Sequence, residues 1–233
     1  MGKTIAIVNQ KGGAGKTTTA TNLAKTLAVN NNKVLLVDLD PLSSLATRYH
    51  IESQSLYSLA DCMEGRTSLG QCIQPSGTEG FAIALGNHNL IGFEIIAMHQ
   101  ENRESILALQ IDDLKTRYDY VLIDTPSSLG LLTMNALVAA DEVLIPIKCD
   151  YTIFDGMAEL LRTIDDVSYC LNAKLKIMGF LVTHVNPQLR STAVNLKEIR
   201  TCYGESVLHT LIPDSDDLED SFHELATELE VRS

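Results

Sequence analysis

The chain is poor in several things, and each shortage narrows the field. No apolar run approaches the ~18 residues of a membrane-spanning helix, so a spanning protein is not expected. No basic-then-apolar leader opens it, because an apolar run of strand length begins almost at Met1. Ala6 stands where an N-myristoylation signal wants Ser or Thr, so myristoylation is not expected either. Cysteines number five, at 62, 72, 149, 170 and 202. An odd count with no close pair argues against a disulfide framework and against a metal or cluster site, and it points to a reducing cytoplasm. Positive charge is scarce: 18 Lys and Arg against 30 Asp and Glu give a net charge of −12. That balance opposes a globally basic nucleic-acid binder and leaves room only for a local basic patch. Internal repeats, low-complexity segments and linkers are absent as well. What remains is a chain of 233 residues, 45% hydrophobic and 21% charged, long enough for one α/β domain with its own core.

Glycine, by contrast, is concentrated where it has a use. Residues 9–18 read Asn-Gln-Lys-Gly-Gly-Ala-Gly-Lys-Thr-Thr. An apolar run at 4–8 precedes them, and Ala20, Leu23, Ala24, Leu27 and Ala28 follow at helical spacing. The order is therefore strand, glycine-rich loop, helix. Such a loop turns several backbone N–H groups toward one point, and the helix N-terminus adds its positive dipole end. A triphosphate fits there, with Lys16 reaching the β- and γ-phosphates and the Thr17 hydroxyl ligating Mg2+. The usual phosphate-loop pattern wants a glycine five residues before Gly15, and this chain has Gln10 there, followed by Lys11 and two glycines.

Two further apolar runs end in carboxylates. Residues 33–41 read as a second strand closing on Asp38, Asp40 and Pro41, with the two aspartates expected to point the same way along the strand. Residues 118–126 read as a strand closing on Asp124, placed to hold Mg2+ through water while Thr17 binds it directly. In open α/β sheets ligands bind at the carboxyl ends of the strands, which puts all three carboxylates near the phosphates. Periodicity also predicts helices over 56–63, 101–117, 131–140 and 154–171, and strands over 81–86, 141–147, 177–183 and within 206–213. His88 and His99 have no ligand spacing. The expected fold is a single doubly wound, mostly parallel α/β domain over residues 1–233.

Lys11 to Thr18 resembles the deviant Walker A motif of the ParA/MinD family of ATPases, and the ParA-type (Soj-like) branch most of all. The likeness is densest over residues 4–41 and 118–156. It implies the P-loop NTPase fold, ATP and Mg2+ as cofactors, and slow, partner-stimulated ATP hydrolysis. It implies nucleotide contacts from Lys11, Gly12, Gly13, Ala14, Gly15, Lys16, Thr17, Thr18 and Pro213, and metal contacts from Thr17, Asp40 and Asp124. Lys11, Lys16 and Asp40 would be catalytic: Asp40 places Mg2+ and the attacking water, and Lys11 reaches the nucleotide of the other subunit in an ATP-closed homodimer. The family often continues with Gln-Gly after the Asp-x-Asp-Pro motif; this chain has Leu42 and Ser43. Ser127 to Gly130 resembles the switch that senses the γ-phosphate.

The family's commonest role is partition of plasmid or chromosome DNA, with a ParB-like or other adaptor protein as partner and the nucleoid as location. Positioning of a protein cargo such as a microcompartment is the near variant. Many members bind DNA nonspecifically through basic residues on the C-terminal side. Here that region offers Arg190, Lys197 and Arg200, at helical offsets that suit one face, which is either a weak DNA patch or a solvated surface. Residues 214–220 are acidic where the family is often basic. A MinD-like membrane regulator would end in a basic amphipathic helix, whereas residues 220–230 are amphipathic and acidic, so no membrane partner is expected. An iron–sulfur carrier would need a Cys-x-x-Cys pair, which is absent.

Overall fold

A computed structural model describes residues 2–42, 45–48, 55–151 and 154–232; Ser43, with the contacts expected just beyond Pro41, lies outside them. Eight strands form one sheet: β1 Lys3–Ile7, β2 Val34–Asp38, β3 Ile73–Pro75, β4 Ala82–Ala84, β5 Tyr120–Asp124, β6 Glu142–Lys148, β7 Lys176–Val185 and β8 Val207–Pro213. Their order is β3-β4-β2-β5-β1-β6-β7-β8, parallel throughout except for β3, which runs antiparallel to β4. The expected doubly wound sheet is therefore present, with one short antiparallel edge that the sequence pattern did not reveal.

The strands read as unbroken apolar runs because both faces are covered. Ile5 and Ile7 join one layer, and Ala6 and Val8 the other. On the first side the helix Lys16–Val29 supplies Leu23, Ala24 and Leu27, and the helix Glu219–Arg232 supplies Phe222, Leu225 and Leu229. On the other side sit Phe93, Leu107, Leu132, Leu160 and Ile199 from successive helices. The apolar face of the last helix is thus spent inside the protein. Glu228 from that helix also caps the edge strand β8, accepting from the backbone N–H groups of His209 and Thr210 at 2.8 and 2.9 Å. Among the described residues no helix is long and apolar enough to cross a membrane.

Two expectations shift. The helix read over 101–117 is shorter, Ile106–Asp112, because Asn102 takes a left-handed conformation (φ 55°) that breaks the run. The helix read over 56–63 begins at Leu59, where Ser58 and Asp61 form a capping box. Cys62 and Cys72, ten positions apart, meet in one buried cluster, with the Cys72 thiol donating to the Ser58 carbonyl at 3.2 Å.

Candidate functional site

The carboxyl ends of β1, β2 and β5 meet at one point. In the register of the sheet Ile7 lies beside Asp124, and Asp124 beside Asp38. The glycine-rich loop leaves β1 there and turns into the helix Lys16–Val29. Gly13 and Gly15 hold φ of 73° and 89°, conformations that a side chain would strain. Gly15 also packs against Thr183 of β7, where a Cβ would stand 3.4 Å from the Thr183 methyl. The loop is braced from below by Asn9, whose Oδ1 accepts from the Lys11 N–H at 2.8 Å and whose amide donates to the Pro146 carbonyl. Gln10, the residue that departs from the usual pattern, lies over Gly156 and donates to Glu159 Oε2 at 3.1 Å. A glycine in its place could not tie the loop to the helix Met157–Cys170.

Lys16 is buried, only 6% exposed, at the foot of that loop. Its Nζ donates to Ser127 Oγ at 2.8 Å and approaches the Lys11 carbonyl at 3.4 Å. Burial pulls its pKa down, and the carboxylates of Asp124 and Asp40 oppose that pull. So Lys16, Asp40, Asp124 and the loop preceding the helix Leu131–Ala139 are brought together as the sequence predicts. Asp124 is completely buried, and neither carboxylate oxygen has a hydrogen-bond partner of normal geometry. Burial raises its pKa to about 7, against the opposing pull of the nearby Thr17 hydroxyl and the Lys16 ammonium. An orphaned, buried carboxylate beside a threonine hydroxyl is a set of hard oxygen donors waiting for a hard cation, and Mg2+ fits it. Thr17 and Asp124 would hold the ion, which supplies charge neutralisation at phosphate oxygens; Lys16 and the loop N–H groups would hold the phosphates.

Asp40 differs from expectation in one respect. β2 ends at Asp38, so the two aspartates do not project along one strand. Asp38 is fully buried and accepts from the Asp40 N–H at 3.1 Å. Asp40 sits in the turn beyond, half-buried, accepting from the Leu42 N–H at 2.9 Å and still close enough to act on Lys16 and Asp124. Asp38 is thus the fixed support and Asp40 the group left near the reacting end.

Lys11 is placed apart from this cluster. Its Nζ pairs with Asp150 Oδ1 at 2.7 Å, at the end of β6, and Lys148 approaches the other oxygen of Asp150 at 3.4 Å. Asp150 was not legible as a site residue, since 139 positions separate it from Lys11. Beside the first turn of the helix Lys16–Val29 lies a cavity of about 220 Å3, lined by Gly15, Thr18, Thr183, His184, Pro213 and Asp214 among others. Pro213, which the resemblance gives as a nucleotide contact, lines this cavity, which has the volume for a nucleoside-sized group beside the glycine-rich loop. Arg190, Lys197 and Arg200 all lie exposed on the helix Arg190–Tyr203, about 80° of arc apart at most. Lys197 and Arg200 edge grooves lined by Leu196, Leu211, Val194 and Phe154, so the stripe is basic but not purely polar. Asp214, Ser215, Asp216 and Asp217 are exposed, and the first three line the same cavity.

Residues 2–177 match the family described as an AAA domain. The chain is 36% identical over 214 residues to the chromosome partitioning protein ParA of Myxococcus xanthus, covering 91% of this chain and 76% of that protein. It is 35% identical over 213 residues to the chromosome-partitioning ATPase Soj of Treponema pallidum, covering 91% of this chain and 83% of that one. Its fold is similar to the crystal structure of cobyrinic acid a,c-diamide synthase from Mycobacterium smegmatis with a bound ATP analog and magnesium. That likeness has a TM-score of 0.92 at 30% identity, over 97% of this chain and 93% of the other.

Proposed function

The chain belongs to the ParA/MinD family of partition ATPases, and from that premise we propose that it works as an ATP-driven partition switch. It takes Mg2+ and ATP and hydrolyses the nucleotide. In this reading ATP closes two copies into a sandwich dimer, and the dimer holds to nonspecific DNA of the nucleoid. A ParB-like adaptor then speeds hydrolysis and releases the copies, so that plasmid or chromosome DNA is segregated.

One observation carries the dimer. In this reading Lys16, Thr17, Asp40 and Asp124, which lie together, serve the phosphates and the metal within one chain, while Lys11 stands apart from them, paired with Asp150. Lys11 stands at the open side of the loop, 22% exposed, held by Asp150. A lysine kept at the rim of its own site is placed to serve the nucleotide of a second copy once Asp150 lets it go. The DNA part rests on Arg190, Lys197 and Arg200, which a dimer would double. Counterion release grows with the number of phosphates neutralised, so pairing two weak stripes converts negligible binding into useful binding.

The test is a gel shift on unrelated DNA at low and moderate salt, with ATP and with ADP. Binding should need ATP, ignore sequence and fade steeply with salt, and the double change Arg190→Glu with Arg200→Glu should abolish it. No shift at low salt with ATP would remove the nucleoid from the account. The acidic segment 214–220 would then favour a non-DNA surface and a protein cargo.

A further inference from the structure

His184 has an unusual place. It is the next-to-last residue of β7, yet it takes a left-handed backbone (φ 54°), one of only three described non-glycine residues to do so. A left-handed backbone is uncommon outside glycine, and such conformations collect where a side chain must be delivered to a particular spot. The spot is the cavity beside the phosphate loop, whose wall His184 forms together with Gly15, Thr18, Thr183 and Pro213.

The proton on the His184 ring follows from its neighbour. Thr183 is buried, 2% exposed, and its Oγ1 lies 3.0 Å from the Ala14 carbonyl oxygen and 3.4 Å from that of Ile147. Carbonyl oxygens only accept, so the single hydroxyl proton of Thr183 is directed to them. The lone pairs of Thr183 Oγ1 are left for His184 Nδ1, 3.1 Å away. That nitrogen therefore carries the ring proton, and in the neutral imidazole Nε2 is an acceptor. The opposite wall adds no donor from its first two residues: Pro213 has no N–H, and the Asp214 N–H is used on the Val185 carbonyl.

We propose that His184 is the base-reading residue of this site, its Nε2 accepting from the exocyclic amino group of a 6-aminopurine and rejecting the 6-oxo group of hypoxanthine or guanine. Thr183 is then a positioning residue, tying the ring tautomer to the Ala14 carbonyl of the phosphate loop itself. The inference rests on the reading of this cavity as the nucleoside site. A polar group that finds no partner in a site built for a hydrogen bond is penalised more than a mere loss of contact, so discrimination at this one position is expected to be large.

ADP and IDP, which differ only at the N1 and C6 positions of the purine and are not turned over, isolate the effect. Binding titrations of wild type should favour ADP over IDP by about tenfold or more. In His184→Gly, which suits the left-handed backbone, the ratio should fall to within about threefold, with affinity for inorganic tripolyphosphate unchanged. Thr183→Val should lower the ADP:IDP ratio in the same direction although the imidazole remains, and Thr183→Ser should restore it. An ADP:IDP ratio unaltered in His184→Gly, with tripolyphosphate still bound, overturns the base-reading role. Failure of wild type to bind either ADP or tripolyphosphate overturns the nucleotide site as a whole.

Discussion

Asp124→Asn separates what the site costs the fold from what it does for the ligand. A carboxyl moved from 3.8 to about 7 by burial destabilises the folded state once it must ionise, by about 4 kcal/mol when fully charged. The sign is that of an acid with a raised folded pKa. Nothing is lost below the unfolded value near 4; the penalty grows as pH rises from there and is complete above about 7. Asparagine cannot ionise, but its amide would inherit a pocket without partners, at a cost of about 1–3 kcal/mol. The ligand-free variant should therefore be more stable than wild type by about 1–3 kcal/mol at pH 8 and less stable by about 1–3 kcal/mol near pH 4, where the carboxyl carries no ionisation penalty and the amide cost remains. Urea titrations at the two pH values measure it. Adding Mg2+ and ATP should reverse the order, because wild type gains the ion and the variant does not. A ligand-free Asp124→Asn chain no more stable than wild type at pH 8 would refute the picture of an orphaned carboxylate waiting for a cation.

Other perturbations give equally direct readings. Lys16→Ala should abolish ATP binding in a titration, since the buried ammonium is the main charge partner of the phosphates; unchanged affinity would displace the phosphate site from this loop. Glu228→Ala strips β8 of acceptors for two backbone N–H groups and the Thr210 hydroxyl. It should cost about 2 kcal/mol and lower the melting temperature by about 4–8 °C, read by circular dichroism. A shift of less than about a degree would mean that the last helix does not secure the sheet edge.

Much of this was legible before the fold. The loop between β1 and the helix Lys16–Val29 announces itself because its chemistry is local: glycines, lysine and threonine at fixed offsets, each needed for a separate reason. Asp124 was legible because a buried strand ending in a carboxylate, a weak signal alone, becomes a strong one with the phosphate loop upstream. Between residues 55 and 117 the strand Ala82–Ala84 and two shortened helices were legible, and other elements were not. The strand Ile73–Pro75 is too short for a period, and the helix Asn89–Ile96 is apolar on nearly every side, with Ile91, Ile95 and Ile96 exposed, so it shows no stripe. Pairings made by the fold across long separations were also out of reach. Lys16 meets Ser127 across 111 positions and Lys11 meets Asp150 across 139. His184 gave no signal at all, because its left-handed backbone, within a run that reads simply as strand, has no mark in composition or spacing.

In the proposed switch Lys11 serves a second copy while Lys16, Thr17, Asp40 and Asp124 serve their own. Sedimentation of the purified chain with Mg2+ and ATP tests it most directly, with Asp40→Ala to slow turnover and Lys11→Ala to remove the trans group. Asp40→Ala should form a stable dimer, and Lys11→Ala should remain a monomer that still binds ATP. A monomeric Asp40→Ala chain, or a normal ATP-dependent dimer from Lys11→Ala, would contradict the proposed switch.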